Sequence, residues 1–347
     1  MKKRELWIDY LKAFTIFLVI IGHCFDGYLR ANTFPQYHSI FYQIRYFIYS
    51  FHMPLFFIIS GYTFRLAYIQ TNEDGCTLNK KRYVRQLINI FLIYFIWAVI
   101  LWCSKIIMAP FVNIKYDIND LLGMFIVPLG NYWYLYILFI VYVIFGVLRA
   151  YKWNRVLLFI ASIICTIAGG ILFNNGHISQ TLYRVMFNIL YFGLGVILGS
   201  NPKLIRNKII IVISLIITVI AWIIHYAYNY DVCRNAVIGA VLAMCMSLVI
   251  VYIFNNASKN CNDNFIAVCG KNCIYIYIIH PFFTAGNRIF LPMIGIHQAW
   301  AAMIMNIIIS TCAAVLISVV CSRIKITDIL FKPVNFIERI HRRITDK

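Results

Sequence analysis

Apolar residues in this chain do not alternate with polar ones; they come in long runs, separated by short clusters of Lys, Arg, Asn, Gly and Pro. A helix needs roughly 20 apolar residues to cross a bilayer. About ten runs of that order occur, at 6–25, 44–64, 86–108, 132–148, 156–173, 182–199, 209–228, 236–254, 272–290 and 299–320. The pattern predicts an all-α polytopic integral membrane protein of about ten transmembrane helices. Connections are short and neither repeat nor low-complexity segment is visible, so residues 1–347 read as a single transmembrane domain with a basic tail over about 322–347. The opening Met-Lys-Lys-Arg has the charge of a signal-peptide start, but no small-residue cleavage site follows, and the first run reads as a retained span.

Composition narrows the class further. With 62% hydrophobic residues and only 12% charged, the chain is far from an ordinary soluble domain. A net charge of +19 would suggest a nucleic-acid partner in a soluble protein. Here the cations fall instead at the N-terminus, at Arg65 to Arg85, at Arg149 to Arg155, at Lys203 to Lys208 and in the tail, in alternate loops. The positive-inside rule explains that alternation with both termini cytoplasmic in the cell membrane, which argues against a nucleic-acid partner. The tail "ERIHRRITDK" reads as a solvated cytoplasmic end, with contact to anionic head groups as the other option. The eleven cysteines show no paired zinc spacing and mostly sit in apolar runs, as small buried hydrophobes do.

Ionisable groups inside spans cost several kcal/mol and usually face a bundle interior or a polar cavity. In "DYLKAFTIFLVIIGH", Asp9 and Lys12 are an i,i+3 pair, and the eleven-residue step from Lys12 to His23 returns to within about 20° of the same helix face. His23 should stand roughly 16 Å along the axis from Lys12. In the second run Arg45 and His52 are seven residues apart and so share a face, His52 preceding Pro54. In "GKNCIYIYIIHPFF", His280 precedes Pro281, with the hydroxyls of Tyr275 and Tyr277 nearby. Three histidines on three helices could converge on one polar cavity; structural pairing and capping is the competing explanation. Zinc is disfavoured, because the histidines are single per helix and membrane carboxylates are nearly absent. Lys80, Lys81, Arg82 and Arg85 crowd the start of the third span, a geometry suited to phosphate oxygens or simply to setting topology.

The ordered set Asp-x-x-basic, Gly-His, "FHMPLFFIISGY", basic-x-x-Arg, "NYWYLYILF" and "GKNCIYIYIIHPFF" resembles the membrane acyltransferase family 3, in particular its fucose 4-O-acetylase-like branch. The resemblance covers nearly the whole chain. It implies transfer of an acyl group, usually acetyl from acetyl-CoA on the cytoplasmic side, to a hydroxyl of a cell-surface or lipid-linked glycan, with acyl-CoA a substrate and no bound cofactor. His23 matches the family's first-helix histidine, Arg82 and Arg85 its Arg-x-x-Arg motif, Trp133 and Tyr134 its Trp-Phe/Tyr-Leu element, and His280 its late histidine. Lys12 departs from the usual arginine, keeping the charge but not the bidentate fork. On this reading Lys12, Lys80, Lys81, Arg82 and Arg85 take the donor, and His23 is general base or acyl relay. Asp26 orients His23, Arg45 or His52 stabilises the oxyanion, and Trp133, Tyr134, Tyr275 and Tyr277 line the acceptor side. A glycan exporter or flippase without acyl transfer, and a structural subunit of a polysaccharide machine, are the alternatives from other classes.

Overall fold

The computed structural model describes residues 5–72, 75–111, 114–150, 154–228, 230–233, 235–257 and 262–345. In chain order it contains α1 (Leu6–Ala31), α2 (His38–Tyr49), α3 (His52–Tyr68), a hairpin of β1 (Ile69–Asn72) and β2 (Gly75–Leu78), α4 (Lys80–Ile107), α5 (Ile118–Gly123) and α6 (Trp133–Ala150). There follow α7 (Arg155–Asn174), α8 (Gln180–Ser200), α9 (Lys208–Ala227), α10 (Ala236–Ala257), α11 (Phe265–Lys271), α12 (Cys273–Met293), α13 (Ala299–Arg323), α14 (Asp328–Phe331) and α15 (Pro333–Thr345). Among the described residues nine helical stretches are long and apolar enough to span a bilayer, and a tenth arises if α11 and α12, bent by 85°, count as one. The chain is an all-α polytopic membrane protein.

Two predicted spans differ from simple rods. The second is a stretch of 34 residues, Pro35–Tyr68, broken at Ser50 and Phe51 between α2 and α3. Pro54 supplies the reason: it has no N–H for the carbonyl four residues back, which is that of Ser50, and its ring crowds that carbonyl. Pro54 then falls in the first turn of α3, where a missing N–H costs nothing. The break removes the register that put Arg45 and His52 on one helix face. The predicted ninth span is α12, preceded by α11 across the bend at Asn272.

Contacts cluster into two compact units. The first comprises Met1–Tyr49, Ile88–Trp133 and Asn262–Lys347. In it α1 packs against α11 so closely that a Cβ on Gly270 would stand 1.8 Å from the carbonyl oxygen of Asp9. Buried Asn306 and Ser310 of α13 tie it to α12: the Asn306 amide donates to the Thr284 carbonyl (3.1 Å), the Ser310 hydroxyl to Asn306 (2.9 Å), and the Asn287 amide to Ser310 (3.0 Å). Interhelical polar contacts of this kind substitute for the hydrophobic effect, which lipid does not supply between helices.

The second unit comprises Ser50–Leu87 and Tyr134–Cys261. Its centre is the α3–α8 pair, where a Cβ on Gly61 would lie 2.0 Å from the Phe192 carbonyl oxygen and one on Gly195 2.1 Å from that of Ile58. Gly195 and Gly199 form a small-xxx-small face that lets the backbones meet. Arg65, read from sequence as loop charge, is buried at the end of α3, donating from Nε to Ser200 (3.0 Å) and from a terminal nitrogen to the Ile69 carbonyl (2.8 Å).

Candidate active site

The long helix α1 carries Asp9, Lys12, His23, Asp26 and Arg30 without interruption. Gly22 decides what meets His23: a Cβ there would stand 2.8 Å from the Tyr49 ring, so only glycine lets that ring lie against α1. The Tyr49 hydroxyl then sits 3.2 Å from His23 Nδ1. Tyr49 in turn lies under Arg45, whose guanidinium carbon is 4.4 Å from the ring centroid.

His280 comes from α12 to the same place. Its ring centroid is 5.3 Å from that of His23, the planes tilted by 30°. The side chain is fully buried, and Nδ1 lies 3.3 Å from the Ile276 carbonyl, so in the neutral ring Nδ1 carries the hydrogen. Nε2 is then an acceptor, and it is buried without a hydrogen-bond partner among the described residues. The segment before α6 fixes this part of α12: the Tyr132 hydroxyl donates to the Ile278 carbonyl (2.8 Å), and the Tyr277 hydroxyl donates to the Asn131 carbonyl.

The remaining sequence candidates fall into place around or away from this pair. Asp26 makes its ion pairs with Arg30 (2.7 Å) and Arg45 (2.6 Å), while the residue hydrogen-bonded to the His23 ring is Tyr49. The expected orienting contact from Asp26 to His23 is thus replaced by an Asp26–Arg45–Tyr49–His23 succession. Tyr277 neighbours His280, with centroids 5.9 Å apart. Tyr275 points elsewhere: it stacks on Phe331 at 4.2 Å with the Lys332 ammonium 5.5 Å from its ring, and its buried hydroxyl has no hydrogen-bond partner among the described residues. Lys12 offers its backbone carbonyl to the Cys273 thiol (3.8 Å).

In the second unit His52 is the buried first residue of α3. Tyr134 shares a hydrogen bond with Ser60 (2.8 Å) and packs on Phe57 at 5.0 Å; Trp133, which belongs to the first unit and begins α6, is half-buried. Lys80, Lys81, Arg82 and Arg85 are exposed on the first two turns of α4, immediately after the hairpin. Cations there face the positive end of the helix dipole, which itself favours an anion at the same place.

Sequence reasoning missed Tyr49, although it stands four residues after Arg45 on α2 and so one turn away on the same face. Arg30, Arg288 and Lys105 also went unread, because helix ends in a membrane protein carry cations for many reasons.

A family model described as an acyltransferase domain matches residues 5–323. The chain belongs to this acyltransferase family. The match takes in both contact units and His23, Arg82, Arg85 and His280 together. Two relatives are similar over shorter stretches, both named nodulation protein NolL. The one from Mesorhizobium japonicum is 29% identical over 162 residues, which is 46% of this chain and 39% of the relative. The one from Sinorhizobium fredii is 29% identical over 133 residues, 38% of this chain and 33% of the relative. The similarity therefore spans only about two fifths or less of either relative's length. No solved structure matches.

Proposed function

We propose that the protein is a multi-pass O-acyltransferase of the cell membrane that moves an acetyl group from acetyl-CoA to a hydroxyl of a cell-surface or lipid-linked glycan. The observation that carries this is the His23–His280 pair within a chain of the acyltransferase family: two adjacent imidazoles, one with a buried acceptor nitrogen left open.

Each residue's part follows from its surroundings. In this mechanism His23 Nδ1 carries the hydrogen toward the Tyr49 oxygen 3.2 Å away, and Nε2 is the basic nitrogen. The acceptor hydroxyl gives its proton to His23 Nε2 as its oxygen attacks the thioester carbonyl. The C–S bond breaks, and the proton passes from the imidazolium to the departing thiolate. His280 Nε2 offers a second acceptor to orient that hydroxyl; alternatively His23 takes the acyl group first and hands it on. Lys80, Lys81, Arg82 and Arg85 take the CoA phosphates, whose oxygens suit clustered guanidinium and ammonium groups. Lys12 contributes positive charge on the donor side. This reading treats residues 1–347 as one catalytic domain, with both termini in the cytoplasm.

The test is acetyl-CoA consumption by purified protein with a hydroxyl acceptor, together with analysis of surface glycan from cells carrying His23→Ala. Loss of a specific O-acetyl ester while glycan still reaches the surface is the expected result. Failed export, with the exported fraction acetylated as before, would replace the enzyme by an exporter.

A further inference from the structure

Beside the His23–Tyr49 pair lies a group of charges that the proposed chemistry does not use. Asp26 holds Arg30 and Arg45 at 2.7 and 2.6 Å. The side chain of Arg288, from α12, lies over Gly27, where an added Cβ would stand 3.6 Å from its Cδ and 3.8 Å from its Nε. Lys105, in the last turn of α4, is within electrostatic reach of both Arg288 and Arg30. Cations from four helices thus share one neighbourhood: Arg30 and Arg45 on Asp26, Arg288 against Gly27, and Lys105, its ammonium 5.9 Å from the Tyr116 ring, near Arg30 and Arg288; among the described residues neither Arg288 nor Lys105 forms an ion pair. Along α4 itself, Lys105 lies at the opposite end from Arg82 and Arg85.

Arg45, Arg288 and Lys105 are half-buried and Arg30 is exposed, and the excess of positive charge on the three half-buried groups is costly without a counter-anion. A monocarboxylate would balance little of it. A phosphoryl group brings up to two charges and three acceptor oxygens, matched to guanidinium donors. The neighbouring His280 Nε2 is buried without a hydrogen-bond donor among the described residues as well. A single molecule bearing a hydroxyl and a phosphoryl group answers both deficits.

We propose that Arg30, Arg45, Arg288 and Lys105 form an anion subsite that seats a phosphoryl group of the acyl acceptor while its hydroxyl faces His23 and His280. The inference rests on the acyltransferase reading and narrows its acceptor to a phosphorylated saccharide or one linked to a lipid phosphate.

Three acceptors separate the possibilities in assays of the full-length protein: a hexose 1-phosphate, a prenyl-pyrophosphate-linked hexose and the neutral methyl hexoside. At least one phosphorylated acceptor should show a KM about tenfold below that of the methyl hexoside, and the better of the two names the source of the phosphoryl group. Arg288→Gln, and independently Lys105→Gln, should erase most of that difference, with Arg288→Lys restoring part of it. Equal KM values for all three acceptors, or a preference that survives both Gln variants, would overturn the subsite. Direct titration with inorganic pyrophosphate separates this idea from the catalytic one, using the Arg82→Gln/Arg85→Gln protein so that the donor side is silent. Pyrophosphate binding abolished by Arg288→Gln supports the subsite even where no acetyl-CoA is consumed. Acetyl transfer to the neutral acceptor with no pyrophosphate binding retires the subsite and leaves the enzyme.

Discussion

His23 has one ring nitrogen engaged by Tyr49, which makes its chemistry testable by single side chains. His23→Ala should lower acetyl transfer by roughly 10²- to 10⁴-fold, the usual contribution of a general base, read as CoA release. Tyr49→Phe keeps the ring and removes the hydroxyl. As a positioning residue it should give a smaller loss and shift the pH–rate profile, since His23 Nδ1 loses its hydrogen-bond partner. Gly22→Ala should imitate Tyr49→Phe, because the new Cβ drives the ring away. Wild-type activity and profile in Gly22→Ala would show that the Tyr49 contact is dispensable. Asp26→Asn addresses a different point. It frees Arg30 and Arg45 instead of acting on the imidazole, so a moderate loss with an unchanged pH profile is expected, and an unchanged rate would remove Asp26 from the mechanism.

At the scale of elements, glycine faces and proline breaks carry the architecture. Gly195→Leu should separate α3 from α8, because backbone occupies the space at 2.1 Å and cannot yield as a flexible side chain can. Thermal unfolding in detergent should report a clear fall in midpoint, against little change for Gly286→Ala, whose Cβ meets nothing. The short helix α5 illustrates local pH control outside the membrane. Asp117 accepts from the backbone N–H groups of Asp120 (3.0 Å) and Asn119 (2.8 Å), and these bonds, that from Asp120 foremost, hold its carboxyl below the ordinary 3.8. A lowered folded-state value means the cap stabilises α5 above the ordinary carboxylate range and fails as pH falls through the lowered one. Hydrogen exchange at the Asn119 and Asp120 amides should therefore show protection that declines only at acid pH.

For the whole molecule, the alternation of basic loops makes a topological prediction. Single cysteines introduced near Lys2 and in the tail after Arg323 should react with impermeant reagents only after the inner face is exposed. External labelling of either would invert the assignment that puts the donor side at Arg82. NMR of surface glycan from wild-type and deletion strains would settle reaction and acceptor together, through the loss of one defined ester.

Sequence alone determined the class of the molecule and most of its elements. Twenty-residue apolar runs have one stable solution in lipid, since a helix satisfies every backbone group internally. It also nominated His23 and His280, because imidazoles inside such runs are expensive, and Arg82 and Arg85, because two guanidiniums three residues apart at the entry to a span suit phosphate oxygens. What it placed poorly depended on the third dimension. Asp26 looked aimed at His23 three residues away, yet arginines from its own helix and from α2 claim it. Arg45 and His52 looked coaxial until Pro54 ended the register at Ser50. The Tyr49 contact exists only because Gly22 leaves a gap on another helix, and Arg288 and Lys105 join the cluster from segments far along the chain. Periodicity along one helix records which face is polar; which other helix supplies the partner is decided by packing between segments that the linear pattern does not encode.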